Sequence, residues 1–167
     1  MFPGGGAQYV GMGRSLHASE PRFRSAMDQG LALLKSKFGV DLRGIFLAGD
    51  KDPVALNDAL NRPSVQLPLL FLIEQALVAL WEHYGVRPAA LIGHSMGENA
   101  AACVAGVFSQ EDALGLVLLR GQLMDEVPDG GMLSVPMAAS ELGELLGPGL
   151  DLAAANGPLL SSGCSSQ

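Results

Sequence analysis

The feature that most constrains this chain is a serine between two glycines, at the junction of an apolar run and a helix-forming run. Residues 89–92 are apolar, and Gly93-His94-Ser95-Met96-Gly97 then leads into residues 98–107, which favour a helix. A turn this sharp leaves no room for Cβ atoms on either side of the serine, and glycine has none. The pattern predicts a nucleophilic Ser95 near the N–H groups that begin a helix, where negative charge is favoured. The alternative is a chance match in a chain that has 22 glycines.

Composition indicates an ordered chain with a large apolar interior. The 167 residues are 49% hydrophobic and 16% charged, which is enough for one domain and argues against disorder. The net charge of −7 makes nucleic acid an unexpected partner. Cys103 and Cys164 have no metal-ligand spacing, so we expect no metal site and a reducing, cytoplasmic setting.

No membrane segment is expected. The chain opens Met-Phe-Pro-Gly-Gly-Gly, without the basic and apolar leader of a signal peptide. The longest apolar stretch runs from Leu67 to Trp81, contains Glu74 and Gln75, and is shorter than the roughly 20 residues that span a bilayer.

The periodicity of apolar residues predicts an α/β chain. Ser109 and Asp112 form a capping box before a helix that runs to Met124, and Gly39 and Gly85 are typical of helix ends. The other predicted helices cover Ser19–Lys37, short pieces within Leu42–Leu60, Val65–His83, and residues 97–106. A predicted strand at 89–92, a strand at Met132–Pro136, a helix at Ser140–Leu146 and a strand at Leu150–Ala155 complete the set. The serine-rich tail, residues 161–167, is expected to be unstructured.

Arg120 stands out because it lies on an apolar helical stripe. Its neighbours at three- and four-residue spacing are Leu116, Val117, Leu123 and Met124, and it is the only Lys or Arg after residue 87. An arginine in such surroundings needs an anion or a route to water. One interpretation is a structural role, either an ion pair with Asp125, Glu126 or Glu98 or a side chain that extends to water. The other is a two-pronged hydrogen bond to a substrate carboxylate.

Several motifs in order resemble the acyltransferase domains of type I polyketide synthases and the malonyl-CoA:acyl carrier protein transacylases of fatty acid synthesis. They are Phe2–Gly13 (FPGGGAQYVGMG), Gln66–Phe71 (QLPLLF), Gly93–Glu98 (GHSMGE), Leu118–Met124 (LLRGQLM) and Asn156–Pro158 (NGP). The resemblance implies a hydrolase-like parallel-sheet subdomain with a nucleophile elbow over residues 1–130. It also implies the start of a small ferredoxin-like subdomain over residues 131–160, followed by the tail.

The resemblance also implies roles for individual residues. Ser95 would form the acyl-enzyme, and Arg120 stands where the family binds a malonyl-type carboxylate. Backbone N–H groups of Met96 and Gly5 would form the oxyanion hole, although the family usually has glutamine at the position of Gly5. Gln66 and His94 would belong to the substrate-binding residues.

The implied reaction moves a malonyl-type acyl group from coenzyme A to an acyl carrier protein through a seryl ester. No resident cofactor is implied, since the coenzyme A thioester is a substrate and the phosphopantetheine belongs to the carrier partner. Other polyketide synthase domains, such as a ketosynthase, are expected neighbours. The alternatives are a serine esterase or thioesterase, in which a lone Arg120 would have no purpose, and a non-catalytic remnant.

The family's general base is a histidine far downstream of the elbow, and no histidine of this chain matches its position. His17, His83 and His94 are the three present, and neighbouring side chains in an elbow point apart, which argues against His94 as the base of Ser95. The resemblance therefore implies a fragment shortened at both ends, without the base.

We accordingly expect the 167-residue chain alone to show negligible transacylase turnover. The measurement is transfer of malonyl groups from malonyl-CoA to a carrier protein. Turnover at the rate of an ordinary acyltransferase would refute the expectation.

Overall fold

Helix α5 (Pro63–His83) is the core of the larger of two units, Met1–Glu126 and Val127–Gln167. The computed structural model describes residues 1–49, 52–128 and 130–165. By length and composition alone α5 could cross a membrane, but 61% of its most apolar window is buried inside the protein. A helix that is apolar on all sides needs such burial. Helices α2 and α7 pack along it and supply much of the surrounding core.

The helices of the first unit begin and end largely where their capping residues predict. Gly39 caps α2 in the left-handed conformation, and the Ser109 side chain accepts a hydrogen bond from the Asp112 N–H at the start of α7. Both capping predictions are confirmed. The bounds are α1 (Arg14–Ser19), α2 (Pro21–Phe38), α3 (Arg43–Leu47), α4 (Pro53–Asn61), α6 (Gly97–Val104) and α7 (Gln110–Asp125).

The predicted start of a helix at Ser19 is wrong. Ser19 instead ends α1, and α2 begins at Pro21. Proline lacks a backbone N–H and has a fixed φ, so it suits the first turn of a helix, where that N–H would have no helical partner. Pro53 and Pro63 start α4 and α5 in the same way.

The second unit is a three-stranded antiparallel sheet with one helix. Its elements are β1 (Met132–Val135), α8 (Ala139–Leu145), β2 (Leu150–Gly157) and β3 (Leu160–Ser165), and the strand order is β1-β3-β2. The predicted strands and helix are present. The likeness of this unit to a ferredoxin-like subdomain stays a prediction.

The prediction of an unstructured tail at 161–167 is wrong for residues 161–165, which form most of the central strand β3, and residues 166–167 lie outside the described part. Ser162 pairs with Ser134 on one side and Ala154 on the other. Ser161 is fully buried and its hydroxyl donates to the Met137 carbonyl oxygen. Serine has little strand preference of its own, so the two neighbouring strands impose this conformation.

The predicted strand at 89–92 is also wrong as a regular element. Among the described residues, the parallel pairing consists of one bridge between Phe2 and Gly93. The Phe2 N–H donates to the Ile92 carbonyl oxygen at 2.8 Å, and the His94 N–H donates to the Phe2 carbonyl oxygen at 3.0 Å. A strand forms only along a partner, and Phe2 alone pairs here. The fold is mixed α/β, with the parallel sheet of the prediction reduced to this bridge.

Glu74 is the one charged side chain buried in the described core. It is 4% exposed, and neither carboxylate oxygen has a hydrogen-bond partner among the described residues. It lines an apolar cleft of about 450 Å³ together with Phe2, Leu77 and Leu91. Burial raises the pKa of its carboxyl to about 8, because the charged form loses its hydration.

This burial predicts that the chain loses stability as the pH rises from about 5 to about 8. In that window the folded state keeps a proton that the unfolded state has released, so the free energy of unfolding falls with pH. One pKa unit corresponds to about 1.4 kcal/mol, so the loss should be on the order of a few kcal/mol. Urea unfolding at pH 5.5 and pH 8.5 measures it.

Glu74→Gln should remove most of this dependence. Glu82→Gln, at an exposed position of the same helix, is the matched control and should keep it. An unchanged pH slope in Glu74→Gln would contradict the assignment.

Candidate active site

Ser95 occupies a strained turn between the Phe2 bridge and helix α6. Its φ is 54°, and it is the only non-glycine residue of the described chain with a positive φ. L-amino acids rarely adopt this conformation, and it persists where surrounding structure enforces it. The side chain of Ser95 is exposed, whereas Met96 beside it is fully buried. The predicted elbow is therefore present, with its hydroxyl held out of the backbone.

Two glycines make the turn possible. A Cβ on Gly93 would overlap the backbone of Gly97 and Glu98, and a Cβ on Gly97 would overlap the carbonyl of Phe2 and lie 2.5 Å from the Pro3 oxygen. Glycine is required at both positions because the atoms that a Cβ would meet belong to the backbone, which cannot move aside as a side chain can.

The glycine-rich loop after Phe2 lies directly against the elbow. A Cβ on the buried Gly4 would be 2.8 Å from the His94 carbonyl oxygen and 2.9 Å from the Ser95 Cβ. At the exposed Gly5, a Cβ would be 2.8 Å from Oε1 of Gln66 on α5. The loop therefore brings Gly5 and Gln66 to the same side of the molecule as Ser95.

The two N–H groups predicted to form an oxyanion hole are free of partners in the described chain. Neither the Gly5 N–H nor the Met96 N–H donates a hydrogen bond to a described residue, whereas the adjacent Gly6 N–H donates to Gln8 and the adjacent Gly97 N–H donates to His94. Free N–H donors beside a serine can stabilise negative charge that develops during a reaction.

Arg120, on α7, reaches the elbow from the neighbouring helix. Its Nη2 donates to the Ser95 Oγ at 3.3 Å, and its Nη1 approaches Oδ1 of Asn99 at 3.5 Å. The sequence predicts Ser95 and Arg120 in one site, and the fold brings the two side chains together. Asn99 is not among the residues predicted for this site.

Arg120 makes no ion pair with any described residue, so the expected pairing with Asp125, Glu126 or Glu98 is not found among them. Asp125, one of the expected partners, instead lies 3.8 Å from Nη2 of Arg62 and accepts a hydrogen bond from the Ser64 N–H at 3.2 Å. The guanidinium is half-buried and keeps its full positive charge available next to Ser95.

None of the histidines hydrogen bonds to Ser95 among the described residues. His17 contacts Asp28, with 3.1 Å between Nε2 and Oδ1, and this aspartate also binds Arg43 at 2.9 Å. Partial burial raises the pKa of Asp28, but the hydrogen bond with His17 and the charge of Arg43 together hold it below its usual value. His83 stacks near Tyr84, and the exposed His94 faces the loop at Gly4.

The described residues contain no group of three or more His, Cys, Asp or Glu side chains that could hold a metal ion. The site contains an exposed serine hydroxyl, two backbone N–H groups without a described acceptor, and a guanidinium without an ion pair among the described residues. These groups suit attack on a carbonyl carbon of a substrate that carries a negative charge nearby.

The close approach of Gly97 to the loop predicts that Gly97→Ala is severely destabilising. The new methyl group would meet the Phe2 and Pro3 carbonyls, at a cost of about 3 kcal/mol or more. Urea unfolding followed by circular dichroism measures the loss. Gly44→Ala is the control, because α3 has open space at that position and alanine favours a helix, so stability should stay equal or rise slightly. Equal stability of the two variants would contradict the tight contact.

Comparison with known proteins gives consistent matches to one kind of domain. The family model described as acyl transferase domain matches residues 1–162. The mycoketide-CoA synthase of Mycobacterium tuberculosis is 42% identical over 159 residues, which cover 95% of this chain and 4% of that protein.

Solved structures agree with this match. The acyltransferase domain from the second module of the salinomycin polyketide synthase is 43% identical with a TM-score of 0.86, and the match covers 99% of this chain and 38% of that one. A malonyl-transacylase solved in complex with a type II polyketide synthase acyl-carrier protein is 27% identical with a TM-score of 0.81. This match covers 99% of this chain and 54% of the transacylase. The chain thus spans a small part of the curated relative and about two fifths to a half of these solved relatives.

Proposed function

Because the chain belongs to the acyl transferase domain family, we propose that it forms the acyl-binding half of a polyketide synthase acyltransferase. In this proposal it takes a malonyl-type group from coenzyme A onto Ser95 and passes it to an acyl carrier protein. The observation that carries the proposal is the 3.3 Å contact between the Arg120 guanidinium and the Ser95 hydroxyl.

The first half of the reaction makes an ester. The Ser95 Oγ attacks the thioester carbonyl carbon, the C–S bond breaks, and coenzyme A leaves as a thiol with the proton that the hydroxyl gives up. The N–H groups of Gly5 and Met96 stabilise the oxyanion that forms in between. The loss of one such donor typically lowers the rate by about 10²–10³.

The second half reverses this chemistry with a different thiol. The phosphopantetheine thiol of the carrier protein attacks the ester carbonyl, the C–O bond to Ser95 breaks, and the hydroxyl recovers its proton. A covalent intermediate lets one site serve the two thiols in turn. The malonyl-transacylase relative that was solved with an acyl-carrier protein supports this choice of partner.

Arg120 accounts for the preference for a malonyl-type group. The free carboxylate of malonate lies one carbon from the carbonyl that reacts, so a guanidinium within hydrogen-bond distance of the Ser95 Oγ can hold it. A fork of parallel N–H donors matches the two oxygens of a carboxylate. Gln66, beside Gly5, and His94 line the same region in this proposal.

Hydrolysis is the weaker candidate. An esterase or thioesterase would use the same elbow and the same free N–H groups. It would not explain why Arg120, which forms no ion pair within the described part of the chain, contacts the nucleophile, nor why the sequence has no other Lys or Arg after residue 87. The proposed enzyme works without a resident cofactor, in the cytoplasm, beside other synthase domains.

The proton of Ser95 has no basic acceptor in the described contacts. Arg120 is the hydrogen-bond partner of the Ser95 Oγ, and guanidinium cannot accept a proton. This supports the proposal that the 167-residue chain by itself turns over very slowly. Single loading of Ser95 needs no turnover, and added imidazole can supply a base.

The proposal predicts a selective loading defect in Arg120→Ala. The chain is incubated with malonyl-CoA or acetyl-CoA in imidazole buffer, and the Ser95 adduct is followed by mass spectrometry. Arg120→Ala should slow malonyl loading about 10- to 100-fold, as expected when a charged hydrogen bond is lost, and should leave acetyl loading nearly unchanged.

Ser95→Ala is the control and should take up neither group. Loading of both thioesters at equal rates by the unmodified chain and by Arg120→Ala would contradict a malonyl-type substrate. Rapid release of free malonate without transfer to a carrier protein would favour the hydrolase instead.

A further inference from the structure

The guanidinium of Arg120 has a second contact that the proposed reaction leaves without a purpose. Nη1 lies 3.5 Å from Oδ1 of Asn99, while Nη2 lies 3.3 Å from the Ser95 Oγ. Asn99 belongs to α6, the helix that starts directly after the elbow, and follows Ser95 by one helical turn. The two acceptors therefore come from one rigid segment and engage the two ends of one guanidinium.

We propose that Asn99 is a positioning residue that holds Arg120 in the orientation needed to select acyl groups with a free carboxylate. This inference rests on the proposed function and deepens it, because it identifies what makes the arginine selective. An arginine side chain has many rotamers, and fixing one of them before the substrate arrives lowers the entropic cost of binding. Asn99 supplies that restraint at the end of the guanidinium away from the serine.

The neutrality of Asn99 matters as much as its position. An amide oxygen accepts a hydrogen bond without cancelling the positive charge, whereas an aspartate of the same shape would form an ion pair and compete with the substrate carboxylate. Acidic side chains are available close by in the sequence, yet Arg120 pairs with none of the described ones, and Asp125 is engaged by Arg62. The charge that faces Ser95 is thus left for a ligand.

The contact at 3.5 Å is long for a hydrogen bond. In this inference it shortens when a carboxylate binds to the guanidinium. Hydrogen bonds in active sites often tighten only once substrate is bound. When the carboxylate accepts hydrogen bonds from the donors that face Ser95, Nη1 keeps Asn99 as its partner.

Two substitutions of the same residue separate this role from a structural one. Asn99→Ala removes the acceptor, and alanine is the better helix former, so α6 should not be weakened. Asn99→Asp keeps the shape and the acceptor but adds a negative charge. If Asn99 served only to connect α7 to α6, the aspartate would strengthen that contact and leave the loading of Ser95 unchanged.

The experiment measures Ser95 loading at several concentrations of malonyl-CoA and of acetyl-CoA, in imidazole buffer, with the full 167-residue chain. Asn99→Ala should raise the half-saturating concentration of malonyl-CoA about 5- to 10-fold, the effect of one hydrogen bond to a charged group, with little change in the maximal rate. Asn99→Asp should raise the half-saturating concentration of malonyl-CoA further, by about 30-fold or more, because the added carboxylate binds the guanidinium. The acetyl-CoA curves should stay unchanged in both variants.

Asn57→Asp on α4 is the matched control, since it makes the same change of charge at an exposed position and should alter neither curve. Thermal unfolding of each variant shows whether the fold is intact. The inference is overturned if Asn99→Asp leaves malonyl loading unchanged or improves it. It is equally overturned if Asn99→Ala slows both thioesters alike.

The Arg120→Ala arm distinguishes this failure from failure of the proposed function. If Arg120→Ala loses malonyl selectivity while the Asn99 variants keep it, only the proposed role of Asn99 is contradicted. If the unmodified chain shows no preference for malonyl-CoA and Arg120→Ala changes nothing, both the proposed function and the role of Asn99 are contradicted.

Discussion

The backbone of the first residues lies in contact with the backbone of the elbow, with no side chain between them, and the candidate site depends on this contact. The bridge from Phe2 to Gly93 fixes the register, and Gly4 and Gly97 then lie too close to the other segment for a Cβ. Close packing of two backbones needs glycine on both sides. The left-handed φ of Ser95 is sustained by this support, and it presents the hydroxyl beside free N–H groups.

A second close approach sets the position of the arginine. Gly121 follows Arg120 on α7, and a Cβ there would lie 2.5 Å from the Pro63 carbonyl oxygen at the start of α5. Helix α7 can therefore pack tightly against α5, with Val117 and Leu118 buried in the core. Side chains on a helix repeat about every 3.6 residues, so the burial of Val117 and Leu118 leaves the half-buried Arg120 at the edge of the core, in contact with Asn99 of α6. Three of the apolar neighbours expected around Arg120 are exposed in the structure: Leu116, Leu123 and Met124.

Arg120 makes no ion pair with a described residue, although acidic side chains lie near it in the sequence. Asp125 is close in sequence to Arg120 but pairs with Arg62, and Asp28 is shared by His17 and Arg43. The groups around Arg120 that accept hydrogen bonds are a hydroxyl and an amide, both neutral. A carboxylate at the same place would be stabilising for the resting protein and harmful for binding an anion. In the proposed function this arrangement leaves the charge of Arg120 for the carboxylate of the substrate.

The sequence by itself determined most helices of the first unit, the sharp turn at Ser95 and the capping of α7, because local propensity and glycine or proline positions decide these features over a few residues. It missed α1 and the start of α2 at Pro21. It also pointed to Ser95 and Arg120, since an elbow pattern and a misplaced charge are visible without coordinates. It did not find strand β3, whose Ser161 and Ser162 become strand only between two partners, and it overstated the strand before the elbow, which pairs with Phe2 alone. Only the tertiary structure decided that Asn99 and Ser95 contact opposite ends of the Arg120 guanidinium. Contacts between residues far apart in the chain depend on how the helices pack against each other, and no local sequence pattern encodes that packing.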